Sequence, residues 1–258
     1  MRIVIALAVA MMPVAARAQS PPQITWRATA GYETFSFRDI ASSSPPVDGS
    51  PVRWQGTGVV VTAGYERARP LRLHRFEFTA SSDGSFEYDT GIGTVPRPSS
   101  DGASFVEGQY DYRRYLAREL GVSGLHAGIG VRGAGERRVL EHHYGGDVTL
   151  NETDVTGSIA IVAALRYRAN DRFTAEAEWS NAAALVHSRQ LRLVDVSLEK
   201  TGWGGGWITD LAARGEVRVV AHVAAVIFYM RRGEGLLFDL RSYSAERHRL
   251  MAGIAYAR

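Results

Sequence analysis

Alternation of apolar and polar residues along most of the chain limits the fold more than any other sequence feature. In the segment 173–180, apolar residues take the odd positions and Thr174, Glu176 and Glu178 stand between them. Similar alternation is found over 26–33, 106–113, 125–132, 159–168, 217–229 and 249–256. A period of two places successive side chains on opposite faces of a β-strand. Because no sustained helical period of 3.6 accompanies it, an all-β fold is predicted.

The links between these segments fall into two classes that alternate along the chain. Short links are predicted at 66–70, 117–121, 169–171 and 213–216, and longer links, richer in Gly, Ser and Pro, at 39–51, 81–102, 137–152, 187–202 and 232–241. Together they join ten strands, with both chain ends on the side of the short links. Eight strands is the alternative, if the glycine-rich segments 52–67 and 203–213 are loops. The predicted strands are about 11–16 residues long, enough to cross a bilayer.

The first eighteen residues have the three parts of a secretory signal. Arg2 provides a positive start, residues 3–14 form an apolar run, and Ala16 and Ala18 flank Arg17 as a small-x-small cleavage site. The apolar run is shorter than the roughly 20 residues that a membrane-spanning helix needs. We therefore predict a signal peptide over 1–18 and a single domain over 19–258.

Composition excludes several function classes. The chain has no cysteine, so disulfides, thiolate metal sites and cysteine nucleophiles are absent. The net charge is only +3, and nearly all the basic residues are arginines, since Lys200 is the single lysine. Basic and acidic residues are interspersed, without the clustered basic face that nucleic-acid binding requires. No nucleic-acid partner is expected.

The two faces of each strand differ in a way that favours a membrane over water. An arginine facing lipid at the bilayer midplane costs about 2–4 kcal/mol, so the charged face of a membrane barrel points inward. The interior is expected to hold a charge network of both signs: Arg27, Glu33, Arg75, Glu77, Glu107, Asp111, Arg113, Arg132, Glu136, Arg166, Arg168, Glu176, Glu178, Asp210, Arg218, Arg247 and Arg249. Two histidines, His126 and His222, are assigned to the same face. Rings near the strand ends suit a girdle at the headgroups: Trp26, Tyr32, Tyr110, Tyr112, Tyr167, Trp179, Trp203, Trp207 and Tyr229.

The chain resembles small bacterial outer-membrane β-barrel proteins over residues 19–258. The resemblance rests on the signal peptide, the alternating strands, the alternation of short and long links and the closing strand at 249–256. The resemblance implies an antiparallel up-and-down transmembrane barrel in the bacterial outer membrane. It also implies contact with outer-membrane lipid and lipopolysaccharide, and with the barrel-assembly machinery. The closing strand of this family typically ends in Phe or Trp, whereas this chain ends in Tyr256, Ala257 and Arg258.

Catalytic motifs of the barrel enzymes are absent. A barrel of ten strands resembles that of the omptin proteases, whose chemistry involves paired acids opposite an Asp-x-His element. This chain contains neither Asp-x-Asp nor Asp-x-His. The His-x-Ser element of lipid A deacylase barrels and the Asp-Ser pair of palmitoyltransferase barrels are absent too. No enzymatic activity is therefore expected.

Three short sequence segments support weaker hypotheses about binding or catalysis. His142 and His143, between Glu141 and Asp147, could bind Zn²⁺ or Cu²⁺ only if their loop curls, because neighbours on an extended segment point apart. His187 and Ser188 face apart for the same reason and make a poor catalytic dyad. The string 203–207 could be a sugar- or lipid-stacking platform, or a rim aromatic pair with glycines that allow curvature. No fixed metal and no cofactor is implied.

These observations predict a structural or surface-interaction protein with a largely plugged, salt-bridged lumen. A ten-stranded barrel is only slightly wider than the eight-stranded kind that side chains can fill. The alternatives are a narrow channel or carrier for small or apolar solutes, and an enzyme acting on lipid or peptide at the outer rim.

Overall fold

The computed structural model describes residues 23–42, 53–89, 100–144, 148–170, 172–193, 196–237 and 241–258, all the regular structure of which is β-sheet. The ten strands are β1 (Gln23–Ser42), β2 (Arg53–Arg69), β3 (Arg72–Asp89), β4 (Ser100–Tyr115), β5 (Leu125–Tyr144), β6 (Val148–Arg168), β7 (Phe173–Leu193), β8 (Val196–Val220), β9 (Val223–Leu237) and β10 (Arg241–Ala257). Within these ranges no helix is long and apolar enough to span a membrane. The predicted signal peptide, 1–18, lies outside the described residues.

Each strand pairs antiparallel with its neighbour in sequence, and β1 pairs with β10 to close the barrel. The prediction of a ten-stranded antiparallel up-and-down barrel is therefore confirmed. The start of β1 and the end of β10 lie at the same end of the barrel as the short turns after β2, β4, β6 and β8. Outer-membrane barrels have short periplasmic turns, so we name this end periplasmic and the opposite end extracellular.

The outside of the barrel is apolar and the inside is charged. Ile161 and Ile254 are about 60% exposed, whereas Glu33, Asp111 and Arg113 are completely buried. A protein surrounded by water keeps its large aliphatic residues inside and its ionised residues outside. The reversed arrangement is that of a barrel surrounded by lipid, because lipid-facing and lumen-facing residues alternate along each strand.

Four of the predicted long links, 81–102, 137–152, 187–202 and 232–241, consist mostly of strand residues, and most of the short link predicted at 66–70 belongs to β2. The 137–152 link is wrong because β5 runs to Tyr144 and β6 begins at Val148, and the 187–202 link is wrong because β7 runs to Leu193 and β8 begins at Val196. As a result β8 reaches 25 residues, well beyond the predicted length. Only about 9–11 residues are needed to cross the bilayer. The polar composition was interpreted as loop, but a strand that continues beyond the lipid can carry polar residues on both faces.

The short link predicted at 213–216 is also wrong. β8 continues to Val220, and the turn before β9 consists of Ala221 and His222. Gly215 lies within the ladder opposite Ile227 and not in a turn. The actual turn carries no Gly, Pro, Asn or Asp and lies in a mostly apolar segment, so local turn chemistry does not mark it.

A β-bulge in β7 changes which side chains face inward. Gly157 pairs with Val186 and Ser158 with Ala184, which leaves Leu185 as the extra residue. On the other side of β7, Gly204 and Gly205 have positive φ values of 73° and 94°, a conformation that favours glycine. An extra residue shifts the alternation by one. Even-numbered residues of β7 face inward before the bulge, and His187 faces inward after it.

Single cysteines provide a test of this orientation, because the native chain has none. Thr201 is exposed in the part of β8 near the extracellular end, and Arg118 is exposed in the turn between β4 and β5. We expect a membrane-impermeant maleimide added to intact cells to label the Thr201→Cys variant, and to label Arg118→Cys only after the outer membrane is permeabilised. The reverse pattern would contradict the orientation.

Candidate functional site

The barrel interior is filled by ion pairs, most of them linked to one another, that we call the interior charge network. Its members come from all ten strands, and arginines and carboxylates are present in nearly equal numbers. The arginines are Arg27, Arg75, Arg113, Arg132, Arg138, Arg166, Arg214, Arg232, Arg247 and Arg249. The carboxylates are Glu33, Glu66, Glu77, Glu107, Asp111, Glu136, Glu176, Glu178, Asp210, Glu216 and Glu234.

In the periplasmic half, Glu176 of β7 is the main junction. Its Oε1 accepts hydrogen bonds of 2.7 Å from Arg75 and from Arg113. Its Oε2 accepts one of 2.7 Å from Arg166 and one of 3.0 Å from the Tyr115 hydroxyl. A single carboxylate thus ties together β3, β4, β6 and β7. Three guanidinium groups around one carboxylate need further carboxylates nearby, and Arg75 finds one in Glu66, 3.0 Å away.

Towards the extracellular end, Arg132 and Arg232 bridge strands on opposite sides of the lumen. Arg132 contacts Asp111 at 2.6 Å, Glu178 at 2.5 Å and Asp210 at 3.1 Å. Arg232 contacts Asp210 at 2.7 Å, and it also reaches Glu107 at 2.6 Å and Glu136 at 3.1 Å. A planar guanidinium with five donors suits such multiple bridging.

A small apolar cluster adjoins the network inside the barrel. Phe35, Ala103, Phe105 and Leu140 pack together and are buried. The Arg247 guanidinium lies 4.7 Å from the Phe105 ring centroid, which is within cation–π range. The cluster therefore continues the filling of the lumen with side chains that need no charged partner.

The packing of these groups leaves little space. The cavity in the middle of the barrel, lined by Thr29, Thr62, Glu107 and Met251 among others, has a volume of about 20 Å³, room for about one water molecule. Burial of an ion costs several kcal/mol unless it is paired and hydrogen-bonded. The near balance of charge is what allows the barrel interior to be this dense.

Most of the residues predicted for the lumen lie in the network, but four do not. Arg168 and Arg218 face inward and yet are exposed at the periplasmic mouth, where they belong to no ion pair among the described residues. His126 and His222 also lie at that end. Their Nδ1 atoms lie within hydrogen-bond distance of backbone carbonyls, of Leu116 at 3.2 Å and of Ala257 at 3.0 Å, and not between carboxylates. These four lie at the periplasmic mouth and not within the network, because alternation gives the face and not the depth.

Sequence reasoning missed six members of the network: Glu66, Arg138, Arg214, Glu216, Arg232 and Glu234. Each lies in a segment that was assigned to a link between strands. A strand boundary placed a few residues too early removes charged residues from the predicted inward face. The incorrect links and the six missed residues therefore have the same cause.

The nine predicted girdle residues all lie on the exterior face. Most are exposed, and Tyr112 and Tyr167 are half-buried against neighbouring exterior side chains. Trp26 contacts Tyr65 with ring centroids 4.8 Å apart near the periplasmic end. Trp207 covers Gly235 on β9: a Cβ added there would lie 2.6 Å from the indole Nε1. The glycine thus makes room for the ring on the outer surface.

The histidine strings have no catalytic arrangement among the described side chains. His187 faces inward with its Nε2 3.3 Å from Asp154 Oδ1, whereas Ser188 faces outward and accepts a hydrogen bond from Thr201 at 3.1 Å. His142 and His143 lie in the β5 ladder opposite Leu150 and Thr149. Their side chains and Asp147 lie outside what is described. Within the described ranges, no group of three His, Asp or Glu residues could hold a metal ion.

A closed ten-stranded up-and-down sheet with an apolar exterior and a charged interior defines a bacterial outer-membrane β-barrel protein. No protein-family model matches the chain, and no curated protein matches it.

Solved structures do match. The chain is similar to the outer-membrane protease OmpT from Escherichia coli, at 9% identity and a TM-score of 0.72, over 94% of this chain and 99% of that one. It is also similar to the translocator domain of the autotransporter NalP from Neisseria meningitidis, at 8% identity and a TM-score of 0.41, over 99% and 93%. At this level of identity the similarity to OmpT shows the fold and not the activity.

Proposed function

We propose that the protein is a closed, non-conducting barrel with a structural or surface-interaction role in the outer membrane. The observation that carries the proposal is the interior charge network, which crosses the lumen at several levels with the apolar cluster beside it. A channel needs a continuous path for water, and rows of paired guanidinium and carboxylate groups at 2.5–3.1 Å fill the place of that path.

The absence of the motifs of known barrel enzymes supports a non-enzymatic role. OmpT is a protease, but this sequence has neither Asp-x-Asp nor Asp-x-His, and the similarity between the two chains is one of fold. The interior charges satisfy one another, so none of the paired acids is set apart for proton transfer.

A surface role is supported by the length of the strands. β5, β6, β7 and β8 each have at least 20 residues, roughly twice the number needed to cross the bilayer, and the excess is at the extracellular end. On the outside of β1, β2 and β10 a groove of about 400 Å³ is lined mainly by polar residues, including Thr34, Gln55, Glu246 and His248, with Phe35 and Gly56 between them. We propose that this polar exterior meets lipopolysaccharide head groups, and that the barrel-assembly machinery inserts the chain.

Electrical recording in planar bilayers tests the plug. We expect the purified, folded protein to produce no stable conductance steps, although flotation with the vesicles shows that it is inserted. The matched control is an open barrel of known conductance, reconstituted in the same lipid. Stable steps that scale with salt concentration would contradict the plug and support the narrow channel instead.

A further inference from the structure

A vestibule lies at the periplasmic mouth of the barrel. It has a volume of about 330 Å³ and lies inside the ring of strand ends. Its wall near the opening includes Arg168, Arg172, Thr174 and Arg218, together with His222. Its floor is the periplasmic part of the interior charge network, so the vestibule is blind and opens only towards the periplasm.

The floor of the vestibule is neutralised by ion pairs, whereas the arginines of its wall form none with the described residues. Arg27 on the floor is paired with Glu66 at 2.8 Å and with Glu216 at 2.7 Å. Arg168, Arg172 and Arg218 have no ion pair with any other described residue and bring three further positive charges to the same space. Arginines without carboxylates stand out in a barrel where nearly every other inward-facing arginine has at least one.

Backbone contacts hold the three arginines close together. They stem from the ends of three adjacent strands, with Arg168 ending β6, Arg172 just before β7 and Arg218 near the end of β8. The Arg218 amide donates to the Arg172 carbonyl at 2.7 Å. Arg168 pairs with Thr174 in the β6–β7 ladder, and Thr174 pairs with Glu216 in the β7–β8 ladder. The cationic wall is therefore built on sheet rather than on a long loop.

We propose that the vestibule binds a small oxyanion with at least two negative charges, such as a diphosphate or a di- or tricarboxylate, from the periplasm. Guanidinium groups bind carboxylates and phosphates through paired, charge-assisted hydrogen bonds. The volume is at the lower end of the range of small-molecule sites. The opening lies within the ring of strands and not on the lipid-facing surface, so the ligand comes from solution rather than from a lipid head group.

Calorimetric titration of pyrophosphate and, separately, of citrate into the folded protein in zwitterionic detergent tests the proposal. Ionic strength is held constant with sodium chloride. We expect saturable binding of at least one of the two, and the triple variant R168Q/R172Q/R218Q should bind that anion roughly tenfold more weakly or not at all, since a charge-assisted hydrogen bond contributes enough for a tenfold change.

The matched control is R67Q/R72Q/R118Q, which removes the same charge at the same end of the barrel from exposed residues that do not line the vestibule. It should bind within about twofold of the native protein. Equal weakening by the two variants would show non-specific attraction, and an absence of binding by the native protein would show that there is no site. Either result overturns the proposal. Neither variant touches the interior charge network, and the conductance test is independent of both.

Discussion

Replacing Arg132 with alanine is expected to destabilise the barrel by about 3–5 kcal/mol, the usual effect of removing one partner of a buried ion pair. Arg132 is buried and contacts Asp111, Glu178 and Asp210 within 3.1 Å. Its removal leaves three carboxylates sharing fewer cations in a space without bulk water. Urea unfolding of the protein refolded into lipid vesicles measures the effect.

Arg231 provides the matched control for Arg132. It also forms an ion pair, with Glu246 at 2.6 Å, but its side chain is 54% exposed on the outside of β9. Exposed pairs contribute at most about 1 kcal/mol, so Arg231→Ala should change little. If Arg132→Ala does not fold at all, Arg132→Lys, which keeps the charge and loses the planar fork, should give an intermediate loss. Equal effects of Arg132→Ala and Arg231→Ala would show that the network does not stabilise the fold.

Placing an arginine at Ile161 is expected to cost about 2–4 kcal/mol, the range measured for a charged side chain near the bilayer midplane. Ile161 is 61% exposed on the outside of β6, where exposure means contact with lipid. The substitution leaves the interior untouched, so any loss reports on the surroundings of the exterior face. The free energy of unfolding in vesicles is again the measurement.

Val155 lies on the same face of the same strand, nearer the extracellular end, and is 44% exposed. Val155→Arg should cost no more than about 1 kcal/mol, because the penalty falls off towards the interface. A penalty at Val155 as large as that at Ile161 would mean that the lipid belt has been placed too close to the periplasmic end. No penalty at either position would contradict the lipid-facing assignment of β6.

Alternation predicted the all-β fold class. The strand number came from the short and long links between the alternating segments, and the direction of the charged face from the cost of an arginine facing lipid and from the rings near the strand ends. The inward placement of Glu176, Glu178 and Arg132 follows from period two once the barrel is taken as surrounded by lipid. These properties are local to a strand, which is why a single sequence carries them.

The depth of each residue in the barrel and its partners across the lumen depend on distances that the sequence of a single strand does not encode. Arg166 pairs with Glu176 whereas Arg168 lies at the mouth, because the two residues lie at different depths in the barrel. Depth is set by where the turns fall, and turn residues such as Ala221 and His222 carry no turn signature. The inward position of His187 depends on the bulge at Leu185. Partners across the lumen depend on the stagger of all ten strands, so the contacts of Arg232 with Glu107 and Glu136 have no counterpart in any sequence pattern.

The span of the ion pairs along the chain has a consequence for how the barrel assembles. Arg249 binds Glu33 across 216 residues, and Arg27 binds Glu216 across 189. A nascent sheet that still lacks its final strand holds acids such as Glu33 without their guanidinium partners. Until the first and last strands meet, water must occupy the half-formed centre and solvate them. Pairing of β1 with β10 and expulsion of that water then take place in one late step. A chain arrested before this step exposes a hydrated, charged cleft to the bilayer.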